Sequence, residues 1–334
     1  MTRAAPGLGS LLAAALEAQL RESVAVTAVE RLKGGYSRQM WAFEATIAGG
    51  PARRLILCAD NPAGVVDGDQ ALGRADEFRL LRVLGAAGLP VPPVLCCGDG
   101  SDPLGRPYLV MQRVEGTTAV GPLLREPHYI ARREDFGQQK AQILAALHRV
   151  PVPAQIYGPG ADAGGAAARE VARWRGAFAL VPGALTPVLD SAFTWLGRHL
   201  PPPPNRITLV HGDFRTGNLM YGPEGIRAIL DWEMAHPGDP LEDVGFAQLI
   251  IWQIGTGRVG GLVEPRRWVE LYEQAAGRPA DRSALRFWEV LAAVKMSALT
   301  HRVSLVLPPG RERDLLVRME QQLADDLEQR LLES

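Results

Sequence analysis

His211-Gly212-Asp213-Phe214-Arg215-Thr216-Gly217-Asn218, followed by Ile229-Leu230-Asp231-Trp232-Glu233, is the stretch on which the reading of this chain turns. An apolar run, Ile207–Val210, delivers a His-x-Asp loop, and an amide, Asn218, follows Asp213 by five residues. A second apolar run, Ile226–Leu230, ends at Asp231, thirteen residues after Asn218. Short apolar runs that end in polar loops read as strands that present side chains at their ends. These residue types suit phosphoryl transfer, where the protein positions groups and stabilises charge rather than forming bonds. Asp213 can accept the proton of an attacking hydroxyl. Asn218 and Asp231 are hard oxygen donors of the kind Mg2+ takes. Arg215, two residues past the base, can reach a transferred phosphoryl group with a permanently charged planar fork. The plainer alternative is a turn and a strand-end cap. Three residue types at fixed spacing arise by chance in a chain this long only on the order of a few per cent of the time.

Upstream, hairpins dominate. Leu8–Glu22 reads as helix, Val24–Leu32 as strand, and Lys33-Gly34-Gly35-Tyr36-Ser37 as a glycine turn. Trp41–Ile47 alternates in strand fashion, Gly49-Gly50-Pro51 turns the chain, and Arg54–Cys58 is a third strand. After a polar glycine-rich loop, Asp76–Ala86 has helical spacing, and Val94–Cys97 and Tyr108–Val114 are two more strands. The unit Val24–Val114 is therefore a five-stranded antiparallel sheet with one inserted helix. Beyond Gly116 the pattern turns helical: one long helix over Tyr129–Arg149, then Val171–Leu180, Pro187–Leu200, and helix from Val244 to the end. The fold class is α+β, with a small antiparallel-sheet lobe over residues 1–115 and a larger, mainly helical lobe over residues 116–334.

Composition narrows the function classes. The chain has 334 residues, enough for about two domains at ~150 residues each. Its 36 basic and 37 acidic side chains leave no basic excess for coating nucleic acid. The three cysteines, Cys58, Cys96 and Cys97, form no C-x-x-C pair, so neither a zinc knuckle nor a disulfide framework is indicated. The apolar stretch near the N-terminus is too short to span a bilayer, and no later run reaches membrane length. A soluble, reduced, cytoplasmic protein acting on a small molecule is expected, with no nucleic-acid or membrane partner and an open oligomeric state. None of the three lysines, Lys33, Lys140 and Lys295, follows glycine, which excludes a P-loop, and no G-x-S-x-G exists for a hydrolase elbow.

His211-x-Asp213-x-x-x-x-Asn218 with Leu230-Asp231 resembles the aminoglycoside phosphotransferase/choline kinase family, which has a two-lobed protein-kinase-like fold. The longer run from His211 to Gly245 is similar to a bacterial branch related to kinase domains associated with acyl-CoA dehydrogenases. The resemblance implies ATP and Mg2+, with the γ-phosphate passed to a small-molecule hydroxyl. Residue by residue, Asp213 matches the catalytic base and Asn218 and Asp231 match the metal ligands, while His211 matches a structural histidine. His236, Asp239 and Asp243 read as residues that hold loops and helix ends. Gly34, Gly35 and Ser37 match the loop that covers the phosphates. Gln112 and Val114 fall at the interlobe hinge, where backbone groups meet adenine. Glu77 matches the helix glutamate that pairs with a strand lysine or arginine touching the α/β-phosphates.

At that strand position the chain departs from the pattern. The matching strand is Leu55-Ile56-Leu57-Cys58, and Cys58 holds the basic position. A thiol is neither a cation nor a strong donor at neutral pH. Two substitutes offer themselves, Lys33 beside the glycine turn and Arg54 on the same strand face, about 13 Å away along the strand. Two readings follow: a working small-molecule kinase, or a nucleotide-binding pseudokinase that lost catalysis with the lysine. An aminoglycoside substrate would want an acidic pocket. The many arginines of the helical lobe fit an anionic substrate better, such as a hydroxyacyl compound, by analogy alone.

Overall fold

The computed structural model describes residues 2–3, 7–32, 38–61, 71–159, 165–179, 186–204 and 206–333. The chain divides into two compact units, Met1–Gly116 with Arg227–Glu233, and Thr117–Ile226 with Met234–Ser334. The first unit therefore takes in the short segment that carries Asp231.

In the first unit the elements are β1 (Thr2–Arg3), α1 (Leu8–Leu20), β2 (Val24–Arg31), β3 (Arg38–Ile47), β4 (Arg53–Asp60), α2 (Arg74–Ala86), β5 (Val94–Asp99) and β6 (Pro107–Gln112). The sheet is antiparallel in the order β1-β2-β3-β4-β6-β5. The five expected strands are present, and the two-residue β1 adds a sixth at the edge. Period-two alternation sorts its faces. Trp41, Phe43 and Ala45 of β3, Leu55 and Leu57 of β4, and Tyr108 and Val110 of β6 pack with Leu12, Ala15 and Leu16 of α1 in one buried cluster. Their neighbours on the other face include Met40, Cys58 and Leu109, which lie opposite one another across three strands. Both β3 and α2 begin before the apolar pattern announces them, at Arg38 and Arg74.

The second unit contains α3 (Val120–Arg125), α4 (Pro127–Ile130), α5 (Arg133–Leu147), α6 (Ala154–Tyr157), α7 (Ala166–Ala179), α8 (Pro187–Arg198), β7 (Thr208–Val210), β8 (Leu219–Gly222), the start of β9 (Gly225–Ile229), β10 (His236–Gly238), α9 (Leu241–Phe246), α10 (Ile250–Gln253), α11 (Pro265–Ala276), α12 (Arg282–Val306) and α13 (Arg311–Leu332). The helix expected over Tyr129–Arg149 is broken in two. Arg132 sits at φ −110°, ψ 16°, outside helical space. Its guanidinium pairs with Asp135 at 3.2 Å in the first turn of α5, where Glu134 and Asp135 also suit the positive end of the helix dipole. Ile130 is exposed, so the buried stripe begins only at Phe136. The helical run expected from Val244 is likewise interrupted between α10 and α11, where Gly255, Gly257, Gly260 and Gly261 all take positive φ. The helix α12 has buried residues on all sides, including Trp288, Leu291 and Val294, and forms the centre of this unit. Asp281 caps it, its Oδ1 accepting the Ser283 and Ala284 N–H groups at 2.8 and 3.1 Å. Among the described residues no helix is long and apolar enough to cross a membrane.

Candidate active site

In the first unit the site is an ion cluster built on the sheet face opposite α1. Register sets Arg38 against Asp60 and Met40 against Cys58, so Arg38, Met40, Cys58 and Asp60 share that face. Arg38 is buried, and its guanidinium meets three carboxylates: Nη1 lies 3.1 Å from Glu77 Oε1 and 3.4 Å from Asp231 Oδ1, and Nε lies 2.8 Å from Glu233 Oε2. Glu77, buried on α2, accepts a second hydrogen bond from Arg74 Nη1. Arg74 Nε is 2.8 Å from Asp60 Oδ1, and Arg74 Nη1 also donates to Cys58 Sγ at 3.9 Å. Burial works against the Arg38 charge, but Glu77 and then Glu233 outweigh it and raise its pKa. Burial pushes the Cys58 thiol up to about 11, so it stays a neutral thiol at physiological pH.

This geometry answers the departure at position 58. Neither substitute named by the sequence stands beside Glu77 among the described residues. Arg54 pairs with Glu115 at 2.8 Å, both side chains more than half exposed. Lys33, with Gly34, Gly35 and Ser37, lies outside the described residues. The cations at Glu77 are Arg38 and Arg74. The clue available in the sequence was position: extending the β3 alternation backwards from Met40 puts Arg38 on the face of Cys58.

Asp231 has φ +68°, a left-handed conformation that aspartate adopts more readily than most non-glycine residues. Its Oδ1 faces Arg38, and among the described residues Oδ2 has no partner. The two arginines of the cluster stand against the four carboxylates of Asp60, Glu77, Asp231 and Glu233. At the end of β6, the Gln112 N–H is already spent on Pro93 O at 2.8 Å. Val114, two residues on, makes no backbone hydrogen bond among the described residues, which leaves both its N–H and its C=O available.

In the second unit, β7 pairs with β10 and delivers the loop from His211 to Asn218. Gly212 turns it at φ +81°, and a Cβ there would sit 2.5 Å from Met234 O. Asp213 accepts from Arg215 Nε at 3.2 Å on Oδ1 and from Asn218 Nδ2 at 2.6 Å on Oδ2. Asn218 Nδ2 also donates to Asp213 O at 3.0 Å. Because both partners are acceptors, the amide orientation is fixed, and Asn218 Oδ1 is left without a partner among the described residues. The Arg215 guanidinium stacks 4.8 Å from the Trp252 ring centroid.

The loop is held from beneath. Asp243, fully buried, accepts the His211 N–H at 2.7 Å and the Gly212 N–H at 2.9 Å. His148 Nε2 lies 3.2 Å from the same carboxylate, and its Nδ1 lies 2.8 Å from the Tyr272 hydroxyl. His211 Nδ1 accepts the Asp213 N–H at 3.1 Å. Two of the three lysines also converge here. Lys295 Nζ donates to Gly212 O and lies 3.3 Å from Glu242. Lys140 Nζ donates to Thr216 Oγ1 at 3.3 Å beneath the Phe214 and Trp268 rings, and burial lowers its pKa to about 7. Apolar spacing gave no sign of either lysine's role.

Glu170, His236 and Glu242 bring ligand atoms within 4.8 Å of one another. They form an ion-pair hub rather than a metal site. His236 Nδ1 donates to Met234 O at 2.9 Å and Nε2 donates to Glu242 at 3.1 Å, so neither ring nitrogen offers a lone pair. Burial opposes the charged ring, but Glu242 and Glu170 prevail and raise its pKa to about 9.

Comparison with known proteins agrees with this architecture. A family model described as the phosphotransferase enzyme family matches residues 28–288. Acyl-CoA dehydrogenase family member 10 of Mus musculus is 34% identical over 203 residues, covering 59% of this chain and 18% of the relative. Acyl-CoA dehydrogenase family member 11 of Gallus gallus is 31% identical over 252 residues, covering 68% of this chain and 31% of the relative. The chain thus spans less than a third of the length of either relative. Among solved structures, a thermostable variant of an aminoglycoside phosphotransferase in ternary complex with ADP and hygromycin B superposes with a TM-score of 0.63. It is 17% identical, and the match covers 97% of this chain and 98% of that one, a likeness of fold.

Proposed function

The chain belongs to the phosphotransferase enzyme family, and on that premise we propose that it moves the γ-phosphate of ATP, in the presence of Mg2+, onto a hydroxyl of a small molecule. The observation that carries the reading is the Asp213–Asn218 arrangement: the amide gives both its N–H bonds to Asp213 and turns its oxygen outward. That leaves a carboxylate held in place for a hydroxyl proton and an uncommitted oxygen for a cation.

In this reading Asp213 is the general base. Arg215 holds the base through Nε, and its shelf on Trp252 keeps the remaining guanidinium nitrogens directed for a transferring phosphoryl group. Asn218 and Asp231 would be the oxygen donors to Mg2+, which would supply positive charge to offset that of the phosphates. The N–H and C=O of Val114, free among the described residues, are the adenine-facing groups, and Gly34, Gly35 and Ser37, outside the described residues, are assigned to the phosphates from the sequence pattern alone. The relatives are named for acyl-CoA dehydrogenation, so hydroxyacyl compounds are the acceptor class to test first. A second reading, nucleotide binding without transfer, rests on Cys58 at the usual basic position.

The test is ADP release from ATP over a panel of hydroxylated acceptors, hydroxyacyl thioesters included, with wild type and Asp213→Asn. The wild type releases ADP with at least one acceptor, and the variant is slower by about a hundredfold or more. Equal turnover by the variant refutes the role of Asp213. Nucleotide binding with no acceptor-dependent release favours the second reading.

A further inference from the structure

We propose that Arg38 is the residue that contacts the α/β-phosphates of the nucleotide in this chain, reaching from β3 to do what a basic side chain at position 58 would do from β4. The inference rests on the nucleotide reading above and names the residue that makes it workable.

Three observations converge on Arg38. It lies on the same sheet face as Cys58, two residues along β3 from the residue opposite that thiol. Its guanidinium joins Glu77 to Asp231, at 3.1 and 3.4 Å, linking the helix glutamate to the carboxylate assigned to the metal. Its Nη2 is buried and has no hydrogen-bond partner among the described residues. A buried N–H donor without a partner is rare, and it marks a place where an acceptor belongs. A phosphate oxygen is such an acceptor, and arginine recognises phosphate through paired donors. Arg74 is the competing candidate, but among the described residues its contacts run to Glu77, Asp60 and Cys58, with none to Asp231. Its position suits holding Glu77 in place for Arg38.

A residue that only neutralises buried carboxylates would affect every nucleoside ligand alike, whereas a phosphate contact would not. Calorimetry therefore compares the binding of Mg2+ with the non-hydrolysable analogue AMP-PNP against the binding of adenosine, which has no phosphate. The proteins are wild type, Arg38→Met, Arg38→Lys, Arg74→Met and the double variant Arg38→Met/Cys58→Lys. For Arg38→Met, the expected result is at least a tenfold loss of AMP-PNP affinity with adenosine affinity kept within twofold. Arg38→Lys, which keeps the charge and folds more readily, should lose less, and the double variant should recover at least threefold over Arg38→Met. If Arg38→Met does not fold, the same two ligands are compared in Arg38→Lys, where a fall in the AMP-PNP/adenosine ratio is expected. Parallel losses for both ligands, or none for either, overturn the assignment, as does a selective AMP-PNP loss confined to Arg74→Met. Wild type that binds adenosine and AMP-PNP equally would refute the nucleotide reading itself, an outcome separate from failure of Arg38 alone.

Discussion

Asp243→Asn is the substitution for which the structure gives the most definite cost. The buried carboxylate accepts three hydrogen bonds: Oδ2 takes the His211 N–H at 2.7 Å and His148 Nε2 at 3.2 Å, and Oδ1 takes the Gly212 N–H at 2.9 Å. Asparagine has nearly the same shape but only one acceptor oxygen. Whichever way it turns, its NH2 group faces a backbone N–H of the loop. At least one charge-assisted hydrogen bond is lost, about 1.5–3 kcal/mol, and at least one buried N–H is left unsatisfied, about 1–3 kcal/mol more. The sum is roughly 2.5–6 kcal/mol, a large fraction of the stability of an ordinary protein. Urea denaturation followed by tryptophan fluorescence suits the measurement, because Trp174, Trp195, Trp252, Trp268 and Trp288 all lie in the second unit. The expected result is a midpoint lower by on the order of 1 M with the slope kept, together with loss of transfer because the Asp213 loop hangs from this carboxylate. A cost below about 1 kcal/mol would mean that Asp243 does not carry the loop.

Two further predictions concern pH, and one concerns backbone. Lys140, with a folded pKa of about 7 against 10.5 for an unburied lysine, holds fewer protons folded than unfolded across that window, so its burial costs most below pH 7. Lys140→Met should therefore gain a few kcal/mol over wild type at pH 6, with the gain fading towards pH 10; a stability difference flat with pH contradicts this. His236 acts in the opposite sense: its pKa is raised from 6.5 to about 9, so its contribution is fully present below pH 6.5 and lost as pH rises through 9. The stability of His236→Gln, measured by urea denaturation across the same pH range, should lack that decline, and an unchanged decline would clear His236 of responsibility. Gly212→Ala meets Met234 O at 2.5 Å from a strained φ of +81°, so it should lower both melting temperature and turnover; a silent substitution would show that the loop relaxes freely.

Much of the fold was legible because its signals are local. Alternation in Trp41–Ile47, glycine and proline turns, and helical spacing in Asp76–Ala86 each depend on a few neighbouring residues. The loop from His211 to Asn218 was legible because its chemistry lies within eight residues. Arg38 was not, because a charged residue at the start of a strand reads as turn. Only the antiparallel register, with Arg38 against Asp60 and Met40 against Cys58, brings it to the face of the missing cation. Arg74 was hidden in the same way, one turn ahead of the apolar stripe of α2. Arg54, the basic residue nearest in sequence on that strand, went instead to an exposed pair with Glu115. Lys140 and Lys295 could not be assigned from spacing, since each meets the loop across more than 70 residues of chain. The break in the helix expected over Tyr129–Arg149 escaped for a related reason: the apolar residues continue in phase while Arg132 leaves helical space.

Calorimetry of the wild-type protein with ATP, in Mg2+ and again in a chelator, asks whether this chain binds the nucleotide with its metal although Cys58 stands at the usual basic position. Saturable binding in Mg2+ that weakens strongly when the metal is removed is the expected result. No heat of binding at millimolar ATP in the presence of Mg2+ would show that this chain does not use ATP.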